Sequence, residues 1–394
     1  MSPDHDLLLG DVYGYEAMLS DDEWVVIDRA REFMSRVVAP IADQCWEDAR
    51  FPHEVLPELA ALGLMGLAYE VEGHPPASRL LTGFLGLELS RVDTSFATFY
   101  GVHSGLAMGS IHLLGSDEQK ERWLPPMRRL ELIGAFGLTE PEHGSDVAGG
   151  VGTTARRDGD HWVLDGAKRW IGNATFADLT VIWARDVEDD QVKGFVVGKD
   201  TAGFSATAIE HKLALRTVQN ADIVLDGCRV PEADRLAGAH SFADTSLVLR
   251  QTRGGVAWSA VGCQMGAYEK AVAYAAERVQ FGRPIGHFQL VQDLLARILG
   301  NITASLGMTV RVAQLQQDGV FADEQAALAK AYCTSRCRET VAMAREVLGG
   351  NGILIDHGVA RFFADAEALY SYEGTREINA LIVGRSITGK GAFV

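Results

Sequence analysis

The sequence predicts a mostly α-helical protein with a small β domain in the middle. Apolar residues recur at helical spacing before about residue 132 and again after about residue 243. Short apolar runs separated by turn residues fill the stretch between them. A length of 394 residues also favours two or three domains over one. We therefore predict domains at residues 1–132, 133–242 and 243–394.

The first region is predicted to be helical. Between residues 23 and 42, apolar side chains repeat every three to four positions, which is typical of a helix with one buried face. Residues 80–89 predict a second helix. Pro40 is expected to end or kink the first one, because proline lacks the N–H group that a helix interior requires.

The middle region is predicted to form short strands. Its runs are rich in β-branched and aromatic residues, and they begin at Trp162, Leu179, Phe195 and Ile223. We expect turns at the glycine-containing sites between them, namely Asp158-Gly159, Asp165-Gly166, Gly194 and Asp226-Gly227. Short strands at this spacing are typical of a small sandwich or barrel.

The last region is predicted to be a helical bundle. Residues 290–302 place leucine, valine and isoleucine on one helical face, and residues 325–347 are alanine-rich with the same period. Three or four long helices with short links favour a four-helix bundle.

Composition excludes several classes of protein. With 36 Lys+Arg against 53 Asp+Glu, the formal net charge is −17, which argues against nucleic acid or an anionic membrane as a partner. No apolar run approaches the roughly 18 residues of a membrane span. The first residues lack a basic and apolar leader pattern, and the five cysteines suit a reducing compartment as buried free thiols. We expect a cytoplasmic protein without a metal site.

Five segments carry residue types that suit ligand binding or catalysis. The first, LTEPEHGSD at residues 138–146, could hydrogen-bond a polar ring or a pyrophosphate, or it could be an ordinary domain junction. KRWIGN at 168–173 could offer Trp170 as an aromatic wall, or the indole could plug the β core. RVQFGRP at 278–284 could bind phosphate through arginine, or it could simply end a helix.

The two remaining segments lie near the end of the chain. LGGNG at residues 348–352 could let another backbone or a ligand approach closely, or it could be an extended helix cap. YEGTRE at residues 372–377 contains Glu373, which could be a general base held in a cleft or an ordinary solvated carboxylate.

The order of these five segments resembles that of the acyl-CoA dehydrogenase family across nearly the whole chain. Within that family the sequence is most similar to the glutaryl-CoA dehydrogenase branch, through residues 212–216, 218–222 and 380–390. The resemblance implies the fold of that family: an N-terminal helical domain, a small β-sandwich or barrel, and a C-terminal four-helix bundle.

The resemblance also implies FAD as cofactor and an acyl-CoA thioester as substrate. Glu373 matches the family's catalytic base, which removes the α-proton while the β-hydrogen leaves as hydride to flavin N5, so that the product is a trans-2-enoyl-CoA. Some relatives carry the base on an earlier helix, just before an arginine that matches Arg253. Here that preceding residue is Thr252, which leaves Glu373 as the candidate.

Further residues take roles that the resemblance implies. The matching positions for binding FAD within one subunit or across subunits are Phe136, Leu138, Thr139, Gly144, Ser145, Trp170, Ile171, Arg278, Phe281, Gln289, Glu346, Gly349, Gly350, Thr375 and Glu377. Those that match substrate-binding positions are Ser145, Arg253, Ala97, Tyr372 and Gly374. FAD sites shared between subunits imply a homo-oligomer, which in this family is usually a tetramer.

One departure from the glutaryl-CoA dehydrogenase pattern concerns the substrate. In that branch an arginine shortly after the Arg-Val-Asp segment binds the free carboxylate, whereas this sequence has Ala97 there. A methyl group cannot stabilise a buried carboxylate. We therefore expect an uncharged acyl chain.

Several readings of the function stay open. The leading one is a dehydrogenase that passes electrons to electron-transferring flavoprotein. The enzyme alternatives are an acyl-CoA oxidase that uses O₂ and a glutaryl-CoA dehydrogenase proper. A hypothesis outside the enzymes is a non-catalytic flavoprotein or a helical scaffold. The sequence does not define chain length, branching or pathway.

Overall fold

The computed structural model describes residues 7–392 and consists of helices around a central β-sheet. The first part of the chain is helical, as predicted. Its α-helices are α1 (Asp21–Phe33), α2 (Ala39–Glu47), α3 (Leu56–Leu62), α4 (Arg79–Val92), α5 (Thr94–Tyr100), α6 (Met108–Leu114) and α7 (Asp117–Arg128). Two π-helical turns, Met34–Val38 and Gly101–Ala107, join α1 to α2 and α5 to α6.

Pro40 does not end the helical segment, contrary to one of the two predicted effects. Ser20 caps α1 in a capping box with Glu23, and helical backbone then continues through the π-turn into α2. Pro40 lies in the first turn of α2, where a missing N–H costs little. The wider π-turn before it leaves room for the proline ring, which would clash with the preceding turn of a regular α-helix. The proline therefore alters the winding of this helical segment without ending it.

The middle region forms one curled sheet of seven strands. Its elements are β1 (Gly134–Gly137), the short helix α8 (Val147–Gly150), β2 (Thr154–Asp158), β3 (His161–Gly172), β4 (Leu179–Asp186), β5 (Val192–Gly198), β6 (Phe204–Ala208) and β7 (Asn220–Pro231). The strand order is β1-β4-β2-β3-β7-β6, with β5 paired to β4. All four predicted runs are strands.

Only one of the four predicted turns is a turn between strands. Gly159 links β2 to β3 with a left-handed φ of 67°. Gly166 and Gly227 instead lie inside β3 and β7, where the pairing register shifts, so that these glycines mark a bulge. Gly194 lies within β5, where a side chain would press on Trp183 and Leu236. The same local sequence thus suits both a turn and a closely packed strand.

The last part of the chain is helical, as predicted. It contains α9 (Phe242–Glu277), the hairpin β8 (Val279–Gln280) and β9 (Arg283–Pro284), α10 (Gln289–Gln317), α11 (Asp323–Val347), α12 (Val359–Ser371) and α13 (Arg376–Thr388). A Cβ atom at Gly262 or Gly266 of α9 would collide with carbonyl oxygens of α4, which shows how closely these two helices approach. Within residues 7–392, no helix has the length and apolarity needed to cross a bilayer.

A buried group of charges joins α12 to the N-terminal helices and to the loop before β7. Arg361 of α12 donates to Asp93 at 2.8 Å and also to Asp43, and Asp93 caps α5 through the amide of Phe96. One turn further along α12 lies Asp365. Its carboxylate accepts bonds from Trp46 Nε1 at 3.1 Å, Leu215 N at 2.6 Å and Ser95 Oγ at 3.3 Å.

This junction predicts a pH-dependent stability. Burial, helped by repulsion from Asp93, raises the pKa of Asp365 to about 6. The folded protein therefore holds a proton that the unfolded chain releases, so stability should fall as the pH rises from about 4 to about 6. Asp365→Asn keeps all three contacts and carries no charge. We expect its stability to exceed that of the wild type by a margin that grows over this range, up to about 3 kcal/mol.

Thermal melting between pH 4 and 8 measures this margin. Asp293→Asn is the matched control, because Asp293 forms an exposed ion pair with Arg297, and its stability should differ from that of the wild type by no more than about 1 kcal/mol. A margin for Asp365→Asn that is the same at pH 4 and pH 7 would contradict the prediction.

Candidate active site

Glu373 lies in the loop between α12 and α13, in an unusual backbone conformation. Its φ is 57° and that of Gly374 is 81°. A residue with a side chain rarely adopts this left-handed region, which is characteristic of sites where surrounding contacts hold the backbone in place. The side chain is half-buried, and the Thr252 hydroxyl of α9 donates to Glu373 Oε1.

Two cations interact electrostatically with this carboxylate. Arg253 of α9 and Lys330 of α11 both face Glu373. Burial raises the pKa of Glu373, whereas the Thr252 hydrogen bond and the two cations oppose that rise. A carboxylate that is removed from water but still hydrogen-bonded can act as a proton acceptor whose basicity exceeds that of a solvated one.

The loop after Glu373 is anchored at the start of α13. The Thr375 hydroxyl accepts the amide of Ile378 and caps the helix. The Asn379 side-chain amide donates to the carbonyls of Gly374 and Thr375, each at 2.9 Å. Tyr372 and Gly374 are half-buried beside Glu373, while Glu377 points into solvent.

A second cluster joins the loop at residues 138–146 to β3. Lys168 Nζ lies 2.7 Å from Glu140 Oε1 and 3.2 Å from the Leu138 carbonyl. The Glu140 carboxylate also accepts the amides of Gly152 at 2.7 Å and Thr153 at 2.9 Å. Both charged side chains are buried, and burial lowers the pKa of Lys168 to about 8. This ion pair fixes where the loop leaves β1.

Trp170 is an exposed aromatic side chain next to that loop. Its φ is 66°, 52% of its surface is exposed, and the Arg169 guanidinium lies 5.0 Å from its ring centre. The Arg169 amide donates to the Thr139 carbonyl at 2.8 Å. The indole therefore does not plug the β core, whereas Ile171 beside it is buried. An exposed flat surface beside a polar loop suits an aromatic ring system.

The remaining predicted site residues fall into three groups by their exposure to solvent. Phe136, Leu138 and Ala97 are buried; Thr139, Arg253 and Thr375 are half-buried. The exposed members are Gly144, Ser145, Arg278, Phe281, Gln289, Glu346, Gly349 and Gly350. Within residues 7–392, no three His, Cys, Asp or Glu side chains are grouped to hold a metal ion, and the five cysteines are buried free thiols.

The segments at 278–284 and 349–352 lie far from Glu373 in the same chain. α9 extends 25 residues from Thr252 to its end at Glu277, which corresponds to roughly 38 Å. The two distal segments are close to each other, because Asn351 Nδ2 donates to Tyr274 Oη at 2.9 Å. Phe281 at the hairpin tip is 95% exposed. One small molecule in one subunit could not reach both ends of α9.

Sequence reasoning missed two neighbours of Glu373, namely Thr252 and Lys330. In the sequence, Thr252 stands out only because it occupies the position at which some relatives carry the catalytic base. Lys330 was not singled out, although it falls on the apolar face of α11 with Ala326, Cys333 and Cys337, all of them buried. A lysine in such a stripe was a visible signal, because buried lysines require specific partners.

Comparison with known proteins gives consistent matches along the chain. The models for the N-terminal, middle and C-terminal domains of acyl-CoA dehydrogenase match residues 20–131, 135–228 and 242–388. A short-chain specific acyl-CoA dehydrogenase of Clostridium acetobutylicum is 32% identical, over 94% of this chain and 98% of that protein.

Solved structures are similar over almost the full length. Glutaryl-CoA dehydrogenase from Mycobacterium smegmatis is 40% identical with a TM-score of 0.93, over 98% of this chain and 99% of that one. A chain in a structure of the electron transferring flavoprotein of Acidaminococcus fermentans is 30% identical with a TM-score of 0.90, over 94% and 99%.

The buried Glu140–Lys168 pair predicts a large effect of a single substitution. Lys168→Met should lower the free energy of unfolding by about 3–5 kcal/mol, because it leaves the Glu140 carboxylate buried without its cation. Denaturant unfolding measures the loss, and limited proteolysis should show faster cleavage within residues 138–146. Lys199→Met is the control: it breaks the half-exposed pair with Asp178 and should cost no more than about 1 kcal/mol. Equal losses for the two variants would refute the prediction.

Proposed function

This chain belongs to the acyl-CoA dehydrogenase family of flavin-dependent enzymes, and we propose that it oxidises an uncharged acyl-CoA to the trans-2-enoyl-CoA with Glu373 as the base. The observation that carries the proposal is the setting of Glu373. Its carboxylate is half-buried, bonded to Thr252 and faced by Arg253 and Lys330. A structural glutamate would require neither the left-handed backbone nor this combination of burial and cationic neighbours.

The residues around Trp170 fit the cofactor of the family, FAD. Trp170 offers an exposed aromatic face, and the loop at residues 138–146, fixed by Glu140 and Lys168, offers hydroxyl groups and an exposed glycine. We assign the flavin end to Phe136, Leu138, Thr139, Trp170 and Ile171, and its phosphates to Gly144 and Ser145. When bound, the flavin supplies the acceptor for the hydride that leaves the β-carbon.

The chain's own task is to remove the α-proton. A thioester acidifies this C–H group, but it remains a very weak acid in water. Closing the site around the substrate excludes water and raises the basicity of Glu373 further. Thr252, Arg253 and Lys330 oppose that effect and so favour the ionised carboxylate. Tyr372 and Gly374 flank the base and are assigned to the substrate, with Arg253 and Ser145.

The predicted uncharged acyl chain rests on the surroundings of Ala97. Ala97 is buried on α5, and the nearby Arg91 is already engaged by Glu88 and Glu269, each at 2.8 Å. Neither residue is therefore available to bind the free carboxylate at the end of a glutaryl chain. The similarity to a short-chain specific acyl-CoA dehydrogenase favours a short chain. The similarity to a glutaryl-CoA dehydrogenase makes glutaryl-CoA the most informative competitor.

The proposed electron acceptor is an electron-transferring flavoprotein. Trp170 would provide an exposed route for electrons beside the flavin, and a similar chain occurs in a structure of such a flavoprotein. An acyl-CoA oxidase would instead release hydrogen peroxide in air. A non-catalytic flavoprotein would keep its flavin oxidised with every acyl-CoA.

The proposed assembly is a homo-oligomer, a tetramer by analogy with the family, in the cytoplasm. The hairpin at 278–284 and the segment at 349–352 lie at the far end of α9, so we assign Arg278, Phe281, Gln289, Glu346, Gly349 and Gly350 to the FAD of a neighbouring subunit. Thr375 and Glu377, beside Glu373, are assigned to the adenosine end of FAD. Large apolar side chains exposed in the monomer would be covered there, among them Phe281, Leu290 and Ile353. Domain borders at 132/133 and 242/243 are part of the same proposal.

Substituting the proposed base separates catalysis from binding. Glu373→Gln keeps the size and a hydrogen-bonding oxygen but cannot accept the proton. We expect it to bind FAD and acyl-CoA normally, with flavin reduction slowed by about 10²–10⁴-fold, the usual contribution of a general base. Anaerobic stopped-flow bleaching of the flavin measures this. Glu367→Gln, which removes only the half-exposed partner of Arg338, is the control and should retain FAD content and the reduction rate within about threefold. Rapid reduction in Glu373→Gln would refute the assignment.

The substrate proposal is tested with two acyl-CoA thioesters of similar length. Flavin reduction by butyryl-CoA should have a kcat/KM at least about 30-fold higher than that by glutaryl-CoA, because an unpaired buried carboxylate costs about 2–5 kcal/mol. A panel that includes longer and branched chains then defines the preference. Comparable values for the two substrates, with release of CO₂ from glutaryl-CoA, would identify a glutaryl-CoA dehydrogenase instead.

A further inference from the structure

Lys330 is a fully buried lysine in the middle of the helical bundle. It lies on the face of α11 that also buries Ala326 and Cys333. A buried ammonium group is unfavourable unless its hydrogen bonds are satisfied. Lys330 therefore requires hydrogen-bond acceptors, and these lie on both sides of Glu373 in the sequence.

The two acceptors of Lys330 are backbone carbonyls on either side of Glu373. Lys330 Nζ lies 3.1 Å from the Tyr370 carbonyl and 2.6 Å from the Gly374 carbonyl. The Tyr370 carbonyl is in the last turn of α12, where carbonyls have no partner within the helix and the helix dipole attracts a cation. The Gly374 carbonyl also accepts the Asn379 amide. Lys330 thus connects the end of α12 to the loop beyond it.

This connection spans the strained part of the chain. Glu373 and Gly374 both have left-handed φ angles, a conformation that persists only where the surroundings determine it. Releasing the Gly374 carbonyl would let the backbone relax toward ordinary angles. The carboxylate of Glu373 would then point elsewhere, because its direction depends on the torsion angles of its own residue.

We propose that Lys330 is a positioning residue for the dehydrogenation, which holds the backbone on both sides of Glu373 and adds a positive charge to the surroundings of its carboxylate. The inference rests on the proposed role of Glu373 as base. Lys330 itself does not touch the substrate. Its two effects are separable, because the hydrogen bonds fix direction whereas the charge favours the ionised base.

The charges around the pair are consistent with this arrangement. Glu373, Glu377 and Arg253 face Lys330, while Arg253, Lys330, Tyr372 and the Thr252 hydroxyl face Glu373. Burial lowers the pKa of Lys330 to about 8, with Glu373 and Glu377 opposing that fall. The lysine is therefore mostly charged at neutral pH, and its removal should raise the pKa of Glu373.

The experiment measures anaerobic flavin reduction in the holoenzyme between pH 5.5 and 9, with butyryl-CoA as the first probe. Lys330→Met should reduce the rate constant by about 10²-fold, as a small misplacement of a reacting group does. It should also move the ascending limb of the pH profile to higher pH, while FAD content and the Kd for acyl-CoA change by less than about threefold. Asn379→Leu removes another hydrogen bond to the Gly374 carbonyl but leaves the charge of Lys330 in place. It should therefore slow flavin reduction without shifting the ascending limb of the pH profile.

Lys212→Met is the matched control. Lys212 also donates to two loop carbonyls, those of Leu215 and Val218, and burial likewise lowers its pKa to about 8. This variant should lose stability but keep the pH profile of the wild type. If Lys330→Met fails to bind FAD, Lys330→Gln replaces it, because glutamine retains a hydrogen-bond donor without the charge. The same measurements of reduction rate, pH profile, FAD content and Kd then test the inference.

Two results would overturn the inference. One is a Lys330→Met or Lys330→Gln holoenzyme whose reduction rate and pH profile match the wild type. The other is a loss of rate that follows only the loss of folded protein, with an unchanged profile. Failure of the proposed function is distinguishable, because the wild type would then show no flavin reduction with any acyl-CoA, and the inference would fall with it.

Discussion

The buried ion pair between Arg361 and Asp93 is the interaction on which the placement of the candidate active site depends. Arg361 lies on α12, and Asp93 begins α5 in the N-terminal region. Two charges removed from water remain stable only in a fixed geometry with further hydrogen bonds, and Asp43 and Phe96 N supply these. The pair therefore sets α12 against the N-terminal helices. Glu373 follows the last residue of that helix by two positions, so its location is fixed from the same anchor.

Local patterns were sufficient to predict the helices, the main strands and the order of the three regions. They failed where one local sequence allows two structures. Asp165-Gly166 and Asp226-Gly227 resemble turns, but they form a bulge between paired strands, because the partner strand is distant in sequence. Pro40 resembles a helix end, but the preceding π-turn accommodates it.

The candidate site was predictable to the extent that its segments are continuous in the sequence. The loop at 138–146, Trp170 and Glu373 were each recognisable from residue type and order. The contacts between segments were not, because they join residues far apart in the chain. Thr252 and Glu373 are 121 positions apart, and Lys330 and Gly374 are 44 apart. No periodicity in the sequence encodes such a pairing, and only the mismatch between a lysine and its apolar stripe on α11 indicated one.

The separation of roughly 38 Å along α9 has a thermodynamic consequence. Under the proposed assembly, each FAD would bind to groups on two copies of the chain, and a ligand that prefers the assembled form must strengthen assembly by the same free energy. Occupancy by FAD would then depend on protein concentration, and dilution would release the cofactor and the subunits together. Retention of FAD and subunit association would be a single linked equilibrium, measured equally well from either side.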